Sequence, residues 1–183
     1  MATWTQRMIG AARLDPATYE EVEADRTANG QAMGVVLLSA VASGVGAIGE
    51  AGLFGFLKVA LAALVAWLVW AFLTWFVGTK LLPAAETRAD MGELLRTIGF
   101  ASSPGILRVL NGVPVLGPIV GLVASFWMLA AMVVAVRQAL DYKGTGRAVA
   151  VCLLGFLVYI GILVGTAIFF GLGAFMLGSI LAR

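Results

Sequence analysis

The stretch Leu53–Leu82, LFGFLKVALAALVAWLVWAFLTWFVGTKLL, carries Lys58 as its only ionised group until Lys80 near its far end. A helix needs about 20 apolar residues to cross roughly 30 Å of bilayer hydrocarbon, and a run of 18 or more with almost no charge reads as a crossing. Working outward from this stretch, whose strongest part is 54–79, similar apolar segments lie near 32–49, 113–136 and 148–170. A water-soluble fold of 183 residues has too little interior to bury them all. The expected fold class is all-α, a polytopic bundle of membrane helices.

Composition agrees: 61% of residues are hydrophobic, 12% are charged and the mean hydropathy is +1.00. The net charge is only +2, and the 12 Lys and Arg are spread between apolar segments, which excludes a nucleic-acid partner. Histidine is absent and the single cysteine, Cys152, sits inside an apolar run. Intrachain disulfides are thereby excluded, and no metal site and no haem or other cofactor is expected. Residues 1–31 mix charges without an apolar centre, unlike a secretory signal, so a retained N-terminus is expected.

A fifth segment, 92–111, decides the topology. It reads GELLRTIGFASSPGILRVLN, with Arg96 and Arg108 near its ends and Ser102, Ser103 and Pro104 at its centre. Lys and Arg near membrane ends prefer the cytoplasm. If 92–111 crosses, nine basic residues fall on that side, namely Arg7, Arg13, Arg26, Lys80, Arg88, Arg96, Arg137, Lys143 and Arg147. Lys58, Arg108 and Arg183 fall on the other. If it does not cross, the loop holding Arg137, Lys143 and Arg147 moves outside and the asymmetry falls. Five crossings with the N-terminus cytoplasmic are therefore expected, giving a head over 1–29 and a membrane domain over 30–183. The last apolar run continues to Ala182, too long for one bilayer, and a break at Gly171–Gly173 is expected.

In the head, Trp4, Met8, Ala11 and Ala12 share one helical face over 3–14. That suits a helix lying at the headgroups, its Arg toward anionic lipid, or one docked on the protein's own bundle. Asp15-Pro16 starts a second short helix running through Tyr19 to Arg26. Asp15, Glu20, Glu21, Glu23 and Asp25 supply five of the 10 acidic residues, a surface for a basic partner or a solvated face with acids near a helix start. An exposed helix offers no dry site for acid–base catalysis.

Within the membrane segments, Trp67 and Trp70 fall near mid-depth, where hydrocarbon satisfies no indole N–H. They are expected to face another helix, with Trp127 a candidate neighbour, or a ligand. Pro104 removes an N–H and leaves the Phe100 carbonyl without its helical donor, while Ser102, Ser103 and Gly105 loosen the turn. Broken helices at this depth are buried in protein or line a cavity, and transporters bind substrates at them.

The acidic head followed by five spans, with Gly99, Phe100 and Pro104 in a Gly-Phe-x-x-x-Pro stretch, resembles the Yip family, whose eukaryotic members are Ypt/Rab-interacting membrane proteins. The strings RLDPATYEEVEAD (13–25), RTIGFASSP (96–104) and AVRQALD (135–141) are similar to its bacterial members. The Tyr-Gly-Pro type signature of eukaryotic heads is missing, with only Tyr19 in that region, and their Gly-Tyr pair is Gly99-Phe100 here. The resemblance implies a membrane adaptor or organiser without catalysis. It also implies action through lipid and through another membrane protein or a second copy, in a bacterial cytoplasmic membrane. The residue pattern agrees: it holds no phosphate loop, no nucleophile–base pair and no mid-membrane carboxylate. The other reading is a small transporter or lipid-translocating protein built around the broken segment.

Overall fold

The computed structural model describes residues 2–85, 87 and 89–181; for 47–51, 163, 167 and 170–181 only the backbone is described. All regular structure among these residues is helical. α1 (Trp4–Ala12) and α2 (Pro16–Ala24) form the head, followed by α3 (Asn29–Phe76), α4 (Met91–Ala101), α5 (Leu116–Ala139) and α6 (Thr145–Leu181). Four helical stretches are long and apolar enough to cross a membrane: Arg26–Gly46, Gly52–Leu81, Leu116–Ala139 and Thr145–Thr166.

The head helices begin where the residue chemistry places them. Thr3 and Gln6 form a capping box on α1, and Asp15 accepts from the Ala17 amide ahead of Pro16 in the first turn of α2. α2 stops at Ala24, short of Arg26, because Asp25 turns its carboxylate back to the Thr27 amide and hydroxyl. A 3₁₀ turn, Arg26–Ala28, then leads into α3.

α3 spans 48 residues but is folded in two at Gly52, whose φ of 59° and ψ of −157° suit glycine alone. The second arm returns along the first, so that Phe56 lies against Gly44. It ends in a π-helical turn, Val77–Leu81, gripped by the Tyr142 hydroxyl at the carbonyls of Gly78 (3.1 Å) and Leu82 (2.7 Å).

The segment 92–111 is broken as its serines and proline require. α4 ends at Ala101, and Ser103–Gly112 continues as a 3₁₀ helix with Pro104 in its first turn. Its neighbours give its direction. Gly99 lies against Ala32, Gly105 against Ser39, and Gly112 against Gly46, so the segment advances in parallel with the first arm of α3. At about 1.5 Å per α residue and 2.0 Å per 3₁₀ residue it covers about 36 Å, comparable to the first arm. α5 then returns, with Asn111 beside Gly117 and Gly121 and Met128 beside Gly105.

One end of the bundle therefore collects the head, the end of the second α3 arm, the start of α4, the end of α5 and the start of α6. Two cores hold it. One packs Leu94, Ile98, Val136, Leu140 and Val151; the other joins Ala11, Tyr19 and Val22 of the head to Val35, Phe100, Ala131 and Ala135. Arg88 lies outside the described residues; the other eight basic residues expected together are gathered at this end. The backbone of α6 is helical through Leu181, and the break expected at Gly171–Gly173 falls where the side chains lie outside the described ones.

Candidate functional site

Two places concentrate polar chemistry: the junction between head and bundle, and a groove beside the helix break. At the junction, Arg7 is 2% exposed. Its guanidinium donates to Glu21 at 2.9 Å, Asp25 at 2.8 Å and the Gln31 side-chain oxygen at 3.0 Å. It therefore pins α1 to α2 and to the start of α3 instead of reaching anionic lipid. The Arg7 hydrogen bond lowers the Glu21 pKa, and hydrogen bonds from Thr27 and Arg7 hold Asp25 at about 2. Arg7 stands one turn before Ala11, on its buried face, and Glu21 and Asp25 stand one turn apart. That spacing was the signal in the sequence for an internal pairing.

Arg96, 3% exposed, makes the second clamp. From α4 it donates to the carbonyls of Val22 (3.1 Å) and Glu23 and to the Asn29 side chain (3.2 Å). The carbonyls at the end of α2 have no helical donor, and a cation there also meets the negative end of the helix dipole. Arg96 thus caps the head rather than extending to the membrane surface. Trp127 donates its indole N–H to the Ala12 carbonyl and Trp4 donates to that of Gln31 (3.1 Å). Trp127 belongs to the head contact and is not the neighbour of Trp67 and Trp70.

The acidic head residues divide by role. Asp15 is a helix cap, Tyr19 is buried with its hydroxyl on the Ala11 carbonyl (3.0 Å), and Glu21 and Asp25 belong to Arg7. Burial raises the Tyr19 pKa. Glu23 is half-buried, and desolvation with the negative charges of Asp141, Glu20 and Glu93 raises its pKa to about 7. Glu20 is exposed and accepts from the Gln138 side chain of α5. Beside it, shallow polar clefts run along Arg137, Asp141, Tyr142, Lys143 and Arg147, with Arg147 over the Tyr142 ring at 5.7 Å.

The polar groups of the broken segment divide between internal pairing and a groove. Ser103 donates to the Phe100 carbonyl at 2.6 Å, so those two satisfy each other within the protein. Gly99 allows α4 to touch α3, and Phe100 is fully buried against the head. Ser102 donates to the Ile98 carbonyl and also borders a groove of about 370 Å³ between the two arms of α3, α5 and α6. Trp67 and Trp70 line that groove, and neither indole N–H has an acceptor. Arg108, Ser39, Ser43, Ser125 and Tyr159 supply the rest of its polarity. In the sequence alone Arg108 carries no sign of the groove, because an Arg near a segment end reads first as reaching for the interface.

The long apolar helices and their helical head define a multi-pass membrane protein. A family model, the Yip1 domain, matches residues 14–165, which takes in α2 through the greater part of α6, and the chain belongs to the Yip family. No curated protein and no solved structure matches it.

Proposed function

We propose that the chain is a non-enzymatic membrane scaffold or accessory subunit whose docking face is the rigid end of the bundle. The observation that carries this reading is the head itself. Arg7 and Arg96 lock it to α3 and α4, so that Glu20 and the clefts along Asp141–Arg147 form one continuous preorganised surface. A surface already ordered binds without the entropy cost of ordering it. The partner is another membrane protein presenting mixed charge at the same interface; a second copy is the other outcome.

The test is a pair of charge reversals on this face. Glu20→Lys and Arg147→Glu should lose a co-purifying partner from native-lipid particles while the melting temperature holds, since exposed charges move stability by no more than about 0.5 kcal/mol. A partner profile identical to wild type would overturn the assignment of the face. Glu21 and Glu23 are unsuitable for reversal, because Arg7 and burial would turn a binding test into an unfolding test.

The chain crosses the membrane five times in this proposal, with the head cytoplasmic and 92–111 as the third crossing. The parallel run of 99–112 along α3 supports it, as does the gathering of basic residues at the head end. A cysteine placed at 143, with Cys152 replaced, should resist an impermeant thiol reagent in intact cells; labelling there would reject this orientation. A second reading, a small transporter or lipid-translocating protein, draws on the groove beside Ser102. Movement of labelled lipid across reconstituted vesicles would be the signature of lipid translocation, and no movement would eliminate that form of it.

A further inference from the structure

We infer that the groove between the arms of α3 is a binding site for one anionic phospholipid. Its phosphate is held at Arg108, and one acyl chain runs inward between Trp67, Trp70 and Phe156. The groove is amphipathic along its length. Its inner part, about 370 Å³, is walled mainly by apolar side chains of both arms, α5 and α6. Its outer part, about 880 Å³, opens at the end away from the head, where Asn111, Pro114 and Gly117 turn the chain. Ser43, Arg108 and Ser125 belong to both parts and so mark the junction.

The chemistry at that junction calls for an anion. The guanidinium carries five N–H donors. Among the described residues Arg108 makes one side-chain hydrogen bond, to Ser125 at 3.1 Å, and Ser125 passes its own proton to the Gly121 carbonyl at 2.7 Å. Among the described side chains no carboxylate lines either part of the groove, and the ion pairs among them are those of Arg7. A guanidinium at membrane depth without a counter-ion is costly, and a phosphate is its bidentate complement. Further in, the indole N–H groups of Trp67 and Trp70 lack acceptors, and a glycerophospholipid carries ester carbonyls just beyond its phosphate. The described lining residues offer no counter-charge for a choline or ethanolamine group, which favours a net anionic headgroup. This site is separate from the docking face and does not depend on it.

The test uses the full chain in phosphatidylcholine vesicles doped with phosphatidylglycerol or phosphatidylcholine bearing brominated acyl chains. Fluorescence quenching is read as the difference between wild type and Trp67→Phe/Trp70→Phe. Brominated phosphatidylglycerol should quench at a lower mole fraction than brominated phosphatidylcholine. Arg108→Gln should raise that fraction about tenfold, the loss expected of one charge-assisted contact. Arg108→Lys should keep part of the preference, and Ser125→Ala, a milder change, should weaken it should Arg108→Gln fail to fold. Equal quenching by the two lipids, or a preference untouched in both Arg108→Gln and Ser125→Ala, would overturn the site. Loss of the preference on adding inorganic phosphate would assign it to a free anion and overturn the lipid.

Discussion

Arg96→Met should detach the head and lower the stability of the bundle by about 3 kcal/mol, because it strands carbonyls that are already shut off from water. Arg96 is the donor that α4 offers to Val22 and Glu23, and the Asn29 side chain shares it. Methionine fills similar space but donates nothing, so each buried acceptor would bear a desolvation cost of about 1–3 kcal/mol. The loss at the α2 dipole adds to it. Arg96→Lys should fall between, since one ammonium cannot span three acceptors that the planar guanidinium reaches together. The effect should be local as well as global. Ala11 is fully buried between head and bundle. A cysteine at position 11, with Cys152→Ser, should be inert to thiol reagents in the parent and reactive in Arg96→Met. Unchanged reactivity and an unchanged melt would show that the head is held by its apolar face alone.

The contrast between Arg7 and Arg96 and the apolar segments marks what the residue order conveys. Crossing helices are legible because hydrocarbon imposes a length and a composition on each one separately. The break at Ser102–Pro104 is legible for the same kind of reason, since proline removes a particular hydrogen bond wherever its helix lies. The clamps are different. Arg96 finds acceptors 67 to 74 residues away, and Trp127 finds the Ala12 carbonyl across 115. An Arg near a membrane boundary and a Trp in an apolar helix are each compatible with several partners, and only the packing of α1 and α2 onto α4 and α5 selects one. The groove was half legible. Two mid-depth indoles, a broken helix and the reversal required between 32–49 and 54–79 pointed to it, whereas nothing local singled out Gly52 among 23 glycines as the residue that makes the turn. Partner acids in the head were legible as a cluster, and their division between Arg7 and the exposed face at Glu20 was not.

Gly46→Leu should have a comparably large effect at the opposite end of the bundle. There α3 and the 3₁₀ segment meet backbone to backbone. A β-carbon at Gly46 would stand 2.5 Å from the Arg108 carbonyl oxygen and 2.9 Å from the Asn111 β-carbon. Neither neighbour is the free end of a flexible side chain, so the two segments must move apart, and overpacking of this kind costs about 1–3 kcal/mol or more. At roughly 2–4 °C per kcal/mol for a chain of this size, the melting temperature should fall by about 5–10 °C. Gly46→Ala should already lower it, because the clash begins at the β-carbon. Gly30 is the control, with no atom within 4 Å of a β-carbon placed there. Gly30→Ala should be neutral or stabilising, since alanine is about 1 kcal/mol better than glycine within a helix. The displacement in Gly46→Leu would also carry Arg108 away from Ser125, so lipid selectivity should weaken together with stability. If Gly46→Leu melts with wild type, the close approach of the first arm of α3 to 103–112 is not what holds that end of the bundle together.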